Sequence, residues 1–415
     1  MATHRGQDIC AVGLPAAGFV GRRLVVLEVI APKRVCENGM PAARAVKSLP
    51  WYTVSLLGFC LIALGASVAG GRDMVIRQEA PFPVISDMAS ATRGTEPVRY
   101  EVLRGDFQIH TPHSDGKVPP ADRVIEAWQY GYDVIAITDH GSFRAYEEAL
   151  PTAQALGVLL LRGMETGLAG KEHLVALDFA AGYRPRNPHQ WAETRGQAQV
   201  FYQDELWSLA AAGACVLYAH PHVGLREPVL WAIAQGLVQG LEIKNDVVGS
   251  GWNTVESHGT WWYPFAFDWA VEHHLTIFAN SDVHAARGET PQAVTLVVAR
   301  ERSGAGVMEA LRARRTVALF NNMLCGHDWV LRLLMASLVE VRLQEIANGK
   351  TFVCLENRGP VELTAEIAGL PVEPITLGGY QKVLVGLRRK LPAVTVTWKN
   401  LYTRPTENLT TTHDL

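Results

Sequence analysis

The side chains in this sequence that could do chemistry stand at the ends of short apolar runs. VLRGDFQIH ends on Gln108 and His110, with Asp115 shortly after. DVIAITDH ends on Asp139 and His140, GVLLLRGME on Glu165 and ACVLYAHPH on His220 and His222. GLVQGLEIKN ends on Glu242 and Asn245, and LTIFANSDVH on Asp282 and His284. One His or Asp after a strand is ordinarily a helix cap or a satisfied loop residue. A whole series is different, because imidazoles and carboxylates crowded on one rim leave uncompensated charge unless cations sit among them. Mixed His and carboxylate shells suit zinc, manganese or iron better than magnesium or calcium.

These residues share a site only if the strand ends share a face. The runs alternate with helical patterns at about 120–130, 143–156, 198–212, 228–235 and 264–274, which predicts a mainly parallel α/β sheet, closed or doubly wound. In a parallel barrel the C-terminal strand ends converge on one mouth. His173 opens its run, HLVALDF, instead of closing it. The preceding TGLAGKE contains two glycines and is too short for a helical crossover, so this strand should run antiparallel and bring His173 back to the face of Glu165.

QIHTPHSDG, ITDHG, GME, the histidine of HLVAL, AHP and SDVH resemble, in order and spacing, the metal motifs of the polymerase and histidinol phosphatase (PHP) superfamily over about residues 103–322. WWYPFAFDWAVEHHLTIFANSDVH, PQAVTLVVARER and ALRARRTVALFNNMLCG are similar to the bacterial PHP phosphodiesterases that carry a small C-terminal β domain. The resemblance implies a distorted (β/α)7-type barrel followed by a small all-β domain. It implies two or three divalent metal ions and metal-assisted hydrolysis, most often of phosphoesters. By position, one metal would take His110, Glu165 and Asp282 with Gln108. A second, bridged by Glu165, would take His173 and His220, and a third Asp115, His140 and His284. Asp139 and Asn245 would orient ligands without binding metal. Gln108 departs from the pattern, which has histidine there, and a neutral amide oxygen is the poorer ligand.

The mechanism expected is a metal-bound water whose pKa falls towards ~7, giving a hydroxide that attacks phosphorus in line. Lys244, Arg287 and Arg226 are the nearest candidates to clamp the phosphate, and His222 could protonate the leaving oxygen. His113 is read as a solvent or substrate contact. Neither a nucleophile elbow nor a P-loop is found. Trp252, Trp261, Trp262 and Tyr263 would either cover the barrel rim or, facing the metals, favour a bulky apolar ester. Other readings stay open: hydrolysis of another ester or a carbamate on the same metals, or a degenerate module without catalysis.

The chain has 415 residues, 19% charged, with a net charge of -3, so no basic excess invites nucleic acid, and a small-molecule phosphoester is the expected partner. Six scattered cysteines without a CxxC pair suggest neither a zinc ribbon nor a disulfide framework. WYTVSLLGFCLIALGASVA, residues 51–69, follows Arg44 and Lys47 and ends in small residues, as in a secretory signal peptide. Met40 would be the natural start. An exported, periplasmic or extracellular protein is expected, or a membrane-anchored one if that segment stays uncleaved. The segments expected are thus an upstream extension at 1–39, a signal or anchor at 40–70, a linker or arm at 71–98, the metal-binding barrel at 99–325 and a β domain at 337–415.

Overall fold

The computed structural model describes residues 18–20, 23–25, 76–78, 81–87, 97–167, 172–186, 201–248, 253–288, 293–346, 349–370 and 373–415. The signal-like stretch 51–69 lies outside them. Among the described residues no helix is long and apolar enough to cross a membrane. The chain divides into two units, Met1–Asp73 and Met74–Leu415. In the first, β1 (Gly18–Val20) and β2 (Arg23–Val25) form an antiparallel pair.

In the second unit β3 (Ile85–Asp87) pairs with the start of β4 (Val98–Asp106). There follow α1 (Pro120–Gln129), β5 (Val134–Ile137), α2 (Ala145–Leu156), β6 (Leu159–Gly167) and β7 (His173–Leu177). Next come α3 (Tyr202–Ala211), β8 (Cys215–Ala219), α4 (Glu227–Ala234) and β9 (Gly240–Asn245). A hairpin, β10 (Val255–Ser257) and β11 (Thr260–Trp262), precedes α5 (Pro264–Glu272) and β12 (Thr276–Asn280). Prolines at the first turns of α1, α4 and α5 suit positions whose N–H has no helical partner. Gly157, left-handed at φ 69°, ends α2.

The strands run in the order β12-β9-β8-β7-β6-β5-β4, and a parallel bridge from Ile109 to Val283 joins the two ends. The result is a closed, distorted barrel of seven strands. All neighbours are parallel except β7, which is antiparallel to both β6 and β8. The hairpin expected after Glu165 is therefore present. Phe107, Val134, Ala136, Val175, Leu217 and Phe278 fill the interior. Phe107 meets Phe278 edge to face at 5.7 Å. Gly240 makes room for that ring, since a Cβ there would lie 2.4 Å from Phe278.

Beyond β4 the sheet continues through β13 (Val294–Ala299), β14 (Thr316–Phe320) and β15 (Met323–Gly326), with α6 (Gly304–Arg312) between the first two. Ser303 caps α6 by accepting the N–H of Gly306 at 3.0 Å, and Val307 and Met308 of that helix join the barrel's interior cluster. After α7 (Asp328–Leu338) all elements are strands: β16 (Val339–Glu345), β17 (Thr351–Asn357), β18 (Leu363–Ile367), β19 (Ile375–Leu377), β20 (Lys382–Leu387), β21 (Ala393–Arg404) and β22 (Glu407–Asp414). This is the small β domain, and its β21 pairs parallel with β15, extending the same sheet.

Candidate metal centre

The C-terminal ends of the barrel strands bring the expected residues to one mouth. Glu165 is at the centre, fully buried near the end of β6. Its Oε2 lies 3.0 Å from His110 Nε2 and 3.9 Å from His140 Nδ1. Its Oε1 lies 2.5 Å from His173 Nδ1 and 3.4 Å from His220 Nε2. One carboxylate thus faces imidazoles on both oxygens, as a bridging ligand must. His110 Nε2 is also 3.0 Å from Asp282 Oδ1. On the outer side Asp115 lies 3.3 Å from His284 Nε2 and 3.5 Å from His140 Nε2, and the His110 and His284 rings stack at 4.2 Å.

Among the described residues three groups have ligand atoms within 4.8 Å of one another: His110, Glu165 and Asp282; His110, Asp115, His140 and His284; and His140, Glu165 and His173. The second contains the expected third set, and the first contains the expected first set apart from Gln108. The third differs, having His140 where His220 was expected, although His220 still faces Glu165.

The backbone is shaped to this end. His220 at φ 24° and Asp282 at φ 52° are left-handed non-glycine residues at strand ends, a conformation that recurs where geometry is set by function. Gly116 is needed by close approach, for a Cβ there would sit 2.3 Å from the His110 carbonyl carbon. Asp139 accepts from the N–H and hydroxyl of Thr111 and the hydroxyl of Ser114, each at 2.7 Å, and so fixes the loop bearing Asp115. Asn245 donates to Asp282 at 3.2 Å and to Glu242 at 3.0 Å. Glu242 also accepts from the His220 N–H at 2.6 Å and Asn280 at 2.9 Å, which places it behind the ligands.

The electrostatics fit cations. Burial disfavours ionisation of Glu165, but His110, His173 and His220 overcome it and hold the carboxyl well below its ordinary value. Burial likewise opposes ionisation of Asp115, and the imidazoles of His110, His140 and His284 bring it far down. In return His110 is held well above its ordinary value against burial by Asp115, Asp282 and Glu165, and His220 is pushed up to about 9 by Glu165 in spite of its burial. Without metal, then, protons supply the positive charge these carboxylates need. Gln108 Oε1 and His220 Nδ1 are buried without a hydrogen-bond partner among the described residues, and His110 Nε2 and Asp282 Oδ1 are buried facing each other at 3.0 Å. Three of these belong to the first expected set. Gln108 donates Nε2 to Glu165 at 3.0 Å, which leaves its carbonyl oxygen as the atom to offer a metal. Orphaned donors of this kind, mixed nitrogen and oxygen, fit divalent transition metals.

Two expected phosphate clamps are corrected. Lys244 is buried, with Nζ 2.7 Å from Asp246 and bonded to the carbonyl of Asn245 at 2.7 Å. Arg287 is buried against Asp106 at 2.6 Å and lies over the ring of Tyr132 at 4.9 Å. Each cation compensates a carboxylate inside the fold, Lys244 that of Asp246 and Arg287 that of Asp106. Arg226 is exposed and bonds the Val223 carbonyl at 3.1 Å. His222 stands beside His220, ring centroids 5.6 Å apart, with Nδ1 2.7 Å from the His220 carbonyl. His113 faces Glu148 at 2.8 Å. Trp262 and Tyr263 are buried core residues, whereas Trp261 is partly exposed and Trp252 lies outside the described residues.

An α/β barrel with a buried His and carboxylate cluster at its mouth is the class this geometry defines. Residues 106–227 match the PHP domain. The fold is shared with a two-domain protein from Bacteroides vulgatus ATCC 8482 containing predicted PHP-like metal-dependent phosphoesterase, at a TM-score of 0.66 and 22% identity over 83% of this chain and 100% of that one. In sequence, the chain is 32% identical over 96 residues to DNA polymerase III PolC-type of Staphylococcus saprophyticus, covering 23% of this chain and 6% of the polymerase. It is 34% identical over 77 residues to the 5'-3' exoribonuclease of Haemophilus influenzae, covering 18% of this chain and 28% of that enzyme. The chain therefore spans only a minor part of the curated relatives it matches.

Proposed function

We propose that this chain is a metal-dependent hydrolase of phosphate esters, with phosphodiesters as the preferred class. The observation that carries the reading is Glu165, whose two carboxylate oxygens face separate sets of imidazoles at the barrel mouth. Divalent ions bound there would supply Lewis acidity towards a phosphoryl oxygen and an acidified water. Gln108, His110, Glu165 and Asp282 would hold one ion. Glu165, His173 and His220, with His140 beside them, would hold a second, and Asp115, His140 and His284 a third. His222, anchored through Nδ1 on the carbonyl of His220, would protonate a leaving oxygen. The Bacteroides vulgatus neighbour's description agrees with phosphoester chemistry, and the net charge of -3 favours a small substrate over a nucleic acid chain. Export remains part of the proposal on the sequence of residues 51–69 alone.

The test is one purified sample loaded with zinc, manganese or iron, assayed on bis(para-nitrophenyl) phosphate, para-nitrophenyl phosphate and para-nitrophenyl acetate. Elemental analysis should find at least two transition-metal ions per chain, and chelator should abolish turnover of the phosphate esters. Turnover of the acetate alone would instead select carboxylic-ester chemistry. No bound metal and no chelator-sensitive hydrolysis would leave a non-catalytic module.

A further inference from the structure

The barrel closes on a seam between the chain that follows β4 and the chain that follows β12, and Gln108, His110, Asp282 and His284 all stand on it. Backbone pairing there is sparse. The His110 N–H reaches the Val283 carbonyl at 3.1 Å, and the Asp282 N–H reaches the Gln108 carbonyl at 2.9 Å. Deeper in, side chains replace the ladder: Asn280 Oδ1 accepts the Phe107 N–H at 3.0 Å, and Asp106 Oδ1 accepts the Ser281 N–H at 3.1 Å.

A side chain from outside the seam, Arg123 of α1, spans it at the level of the ligands. Arg123 is fully buried. Its Nε donates to the carbonyl of His110 at 2.9 Å, Nη2 to that of Val283 at 3.3 Å and Nη1 to that of Ala285 at 2.8 Å. Nη1 also meets Glu126 Oε2 at 2.8 Å, so the buried charge is paired within its own helix. A guanidinium is a rigid planar fork, and three carbonyls held on one fork cannot shift independently. One carbonyl belongs to His110 itself, and the other two flank His284, with Val283 also directly following Asp282. The loop that leads into α1 bears Asp115 and is tied to the same seam, for the Lys117 N–H donates to the His284 carbonyl at 2.7 Å.

We propose that Arg123 is a positioning residue of the metal centre, holding the two sides of the seam at the spacing that lets His110, Asp282 and His284 converge. It touches no ligand side chain and acts through their backbone. The first and third metal positions, which draw on the seam, depend on it. His173 and His220 come from β7 and the end of β8 and stand outside the seam. This rests on the metal-binding half of the hydrolase reading and is independent of which ester is cleaved.

Loss of buried hydrogen bonds lowers stability wherever it occurs, so metal binding is the discriminating measurement. Full-length protein freed of metal is titrated with cobalt(II) well below its melting temperature. Uptake is followed by the visible absorption of the bound ion in competition with a chelator. In Arg123→Lys a single ammonium cannot span three carbonyls and a carboxylate. At least one ion per chain should then be held about 10–100-fold more weakly than in the wild type. Arg315→Lys is the matched control. Arg315 is also buried and donates to the Val298 carbonyl at 2.9 Å and to Glu309 at 3.0 Å, but Val298 pairs with Val102, towards the opposite end of β4. That variant should melt earlier and keep wild-type cobalt affinity. If Arg123→Lys does not fold, Glu126→Ala, which takes away the anchor of the guanidinium, carries the same comparison. Unchanged cobalt affinity in the variant at the seam, an equal loss in Arg315→Lys, or a wild type that takes up no cobalt overturns the positioning role. A weakening confined to the seam, in a protein that hydrolyses no phosphate ester, supports the role and sinks the hydrolase reading alone.

Discussion

Glu165 and His173 face each other across the antiparallel turn of the barrel. Gly167 pairs with His173 and Glu165 with Val175, so Glu165 and His173 project from the same face, and Nδ1 of the imidazole reaches within 2.5 Å of Oε1. A residue that opens its strand thereby joins a set drawn from the ends of the others.

Because both Glu165 oxygens face imidazoles, Glu165→Gln should disrupt two metal positions at once. The amide keeps the shape, removes the charge and offers one oxygen in place of two. Metal content should fall by at least one ion per chain, and kcat/KM by more than the 10–100-fold expected for loss of a supporting partner. Full metal content in that variant would contradict the bridging role.

Asp139 is the supporting partner to compare with it. Asp139→Ala leaves the Thr111 and Ser114 donors without their acceptor. The expected cost is about 1–3 kcal/mol of stability and a 10–100-fold weaker metal affinity. Chelator competition and thermal melts measure both. A loss as severe as that of Glu165→Gln would make Asp139 a ligand in its own right.

The parts of the site legible in sequence were those carried by strand periodicity. Short apolar runs ending in His, Asp or Glu locate strand ends, and a closed parallel barrel forces those ends together, so His110, His140, Glu165, His220 and Asp282 converge as expected. The turn before His173 was legible because seven residues with two glycines leave room only for a reversal. Partners brought together only by the closed fold were not legible. Nothing local to Arg287 shows that Asp106, far away in sequence, will be buried beneath it. The pairing of β15 with β21 is not legible either, since a parallel partner so distant leaves no mark on either strand's own pattern.

Gln108 offers a gain-of-function test. Its Oε1 lacks a hydrogen-bond partner among the described residues, while its Nε2 is held by Glu165. Gln108→His replaces an amide oxygen with imidazole, a better ligand for zinc, manganese or iron. Occupancy of the position shared with His110 and Asp282 should rise at limiting metal, and turnover with it. Lower occupancy would mean that the amide's bond to Glu165 matters more than ligand strength.

Lys244 should behave as a strut. It pairs with Asp246, which burial pushes above the ordinary carboxyl range and the lysine ammonium draws back down. Lys244→Met leaves that carboxylate uncompensated, and about 3 kcal/mol of stability should be lost. KM for a phosphodiester should move little. A raised KM with an unchanged melt would restore Lys244 as a substrate clamp.

Proton and metal compete for the same imidazoles, which fixes the sign of the pH response. In the metal-free protein His220 titrates at about 9, raised by Glu165 in spite of burial, against 6.5 in the unfolded chain. A folded pKa raised in this way contributes stability that is fully present below 6.5 and lost as the pH climbs through 9. The chelated protein should therefore become less stable across that window. Metal binding must displace the same proton, so metal affinity should strengthen over the same range. The difference in melting temperature between loaded and chelated samples is then expected to widen from pH 6.5 to pH 9. Melts in matched buffers decide it: a gap that stays constant or narrows would mean that His220 does not exchange its proton for metal.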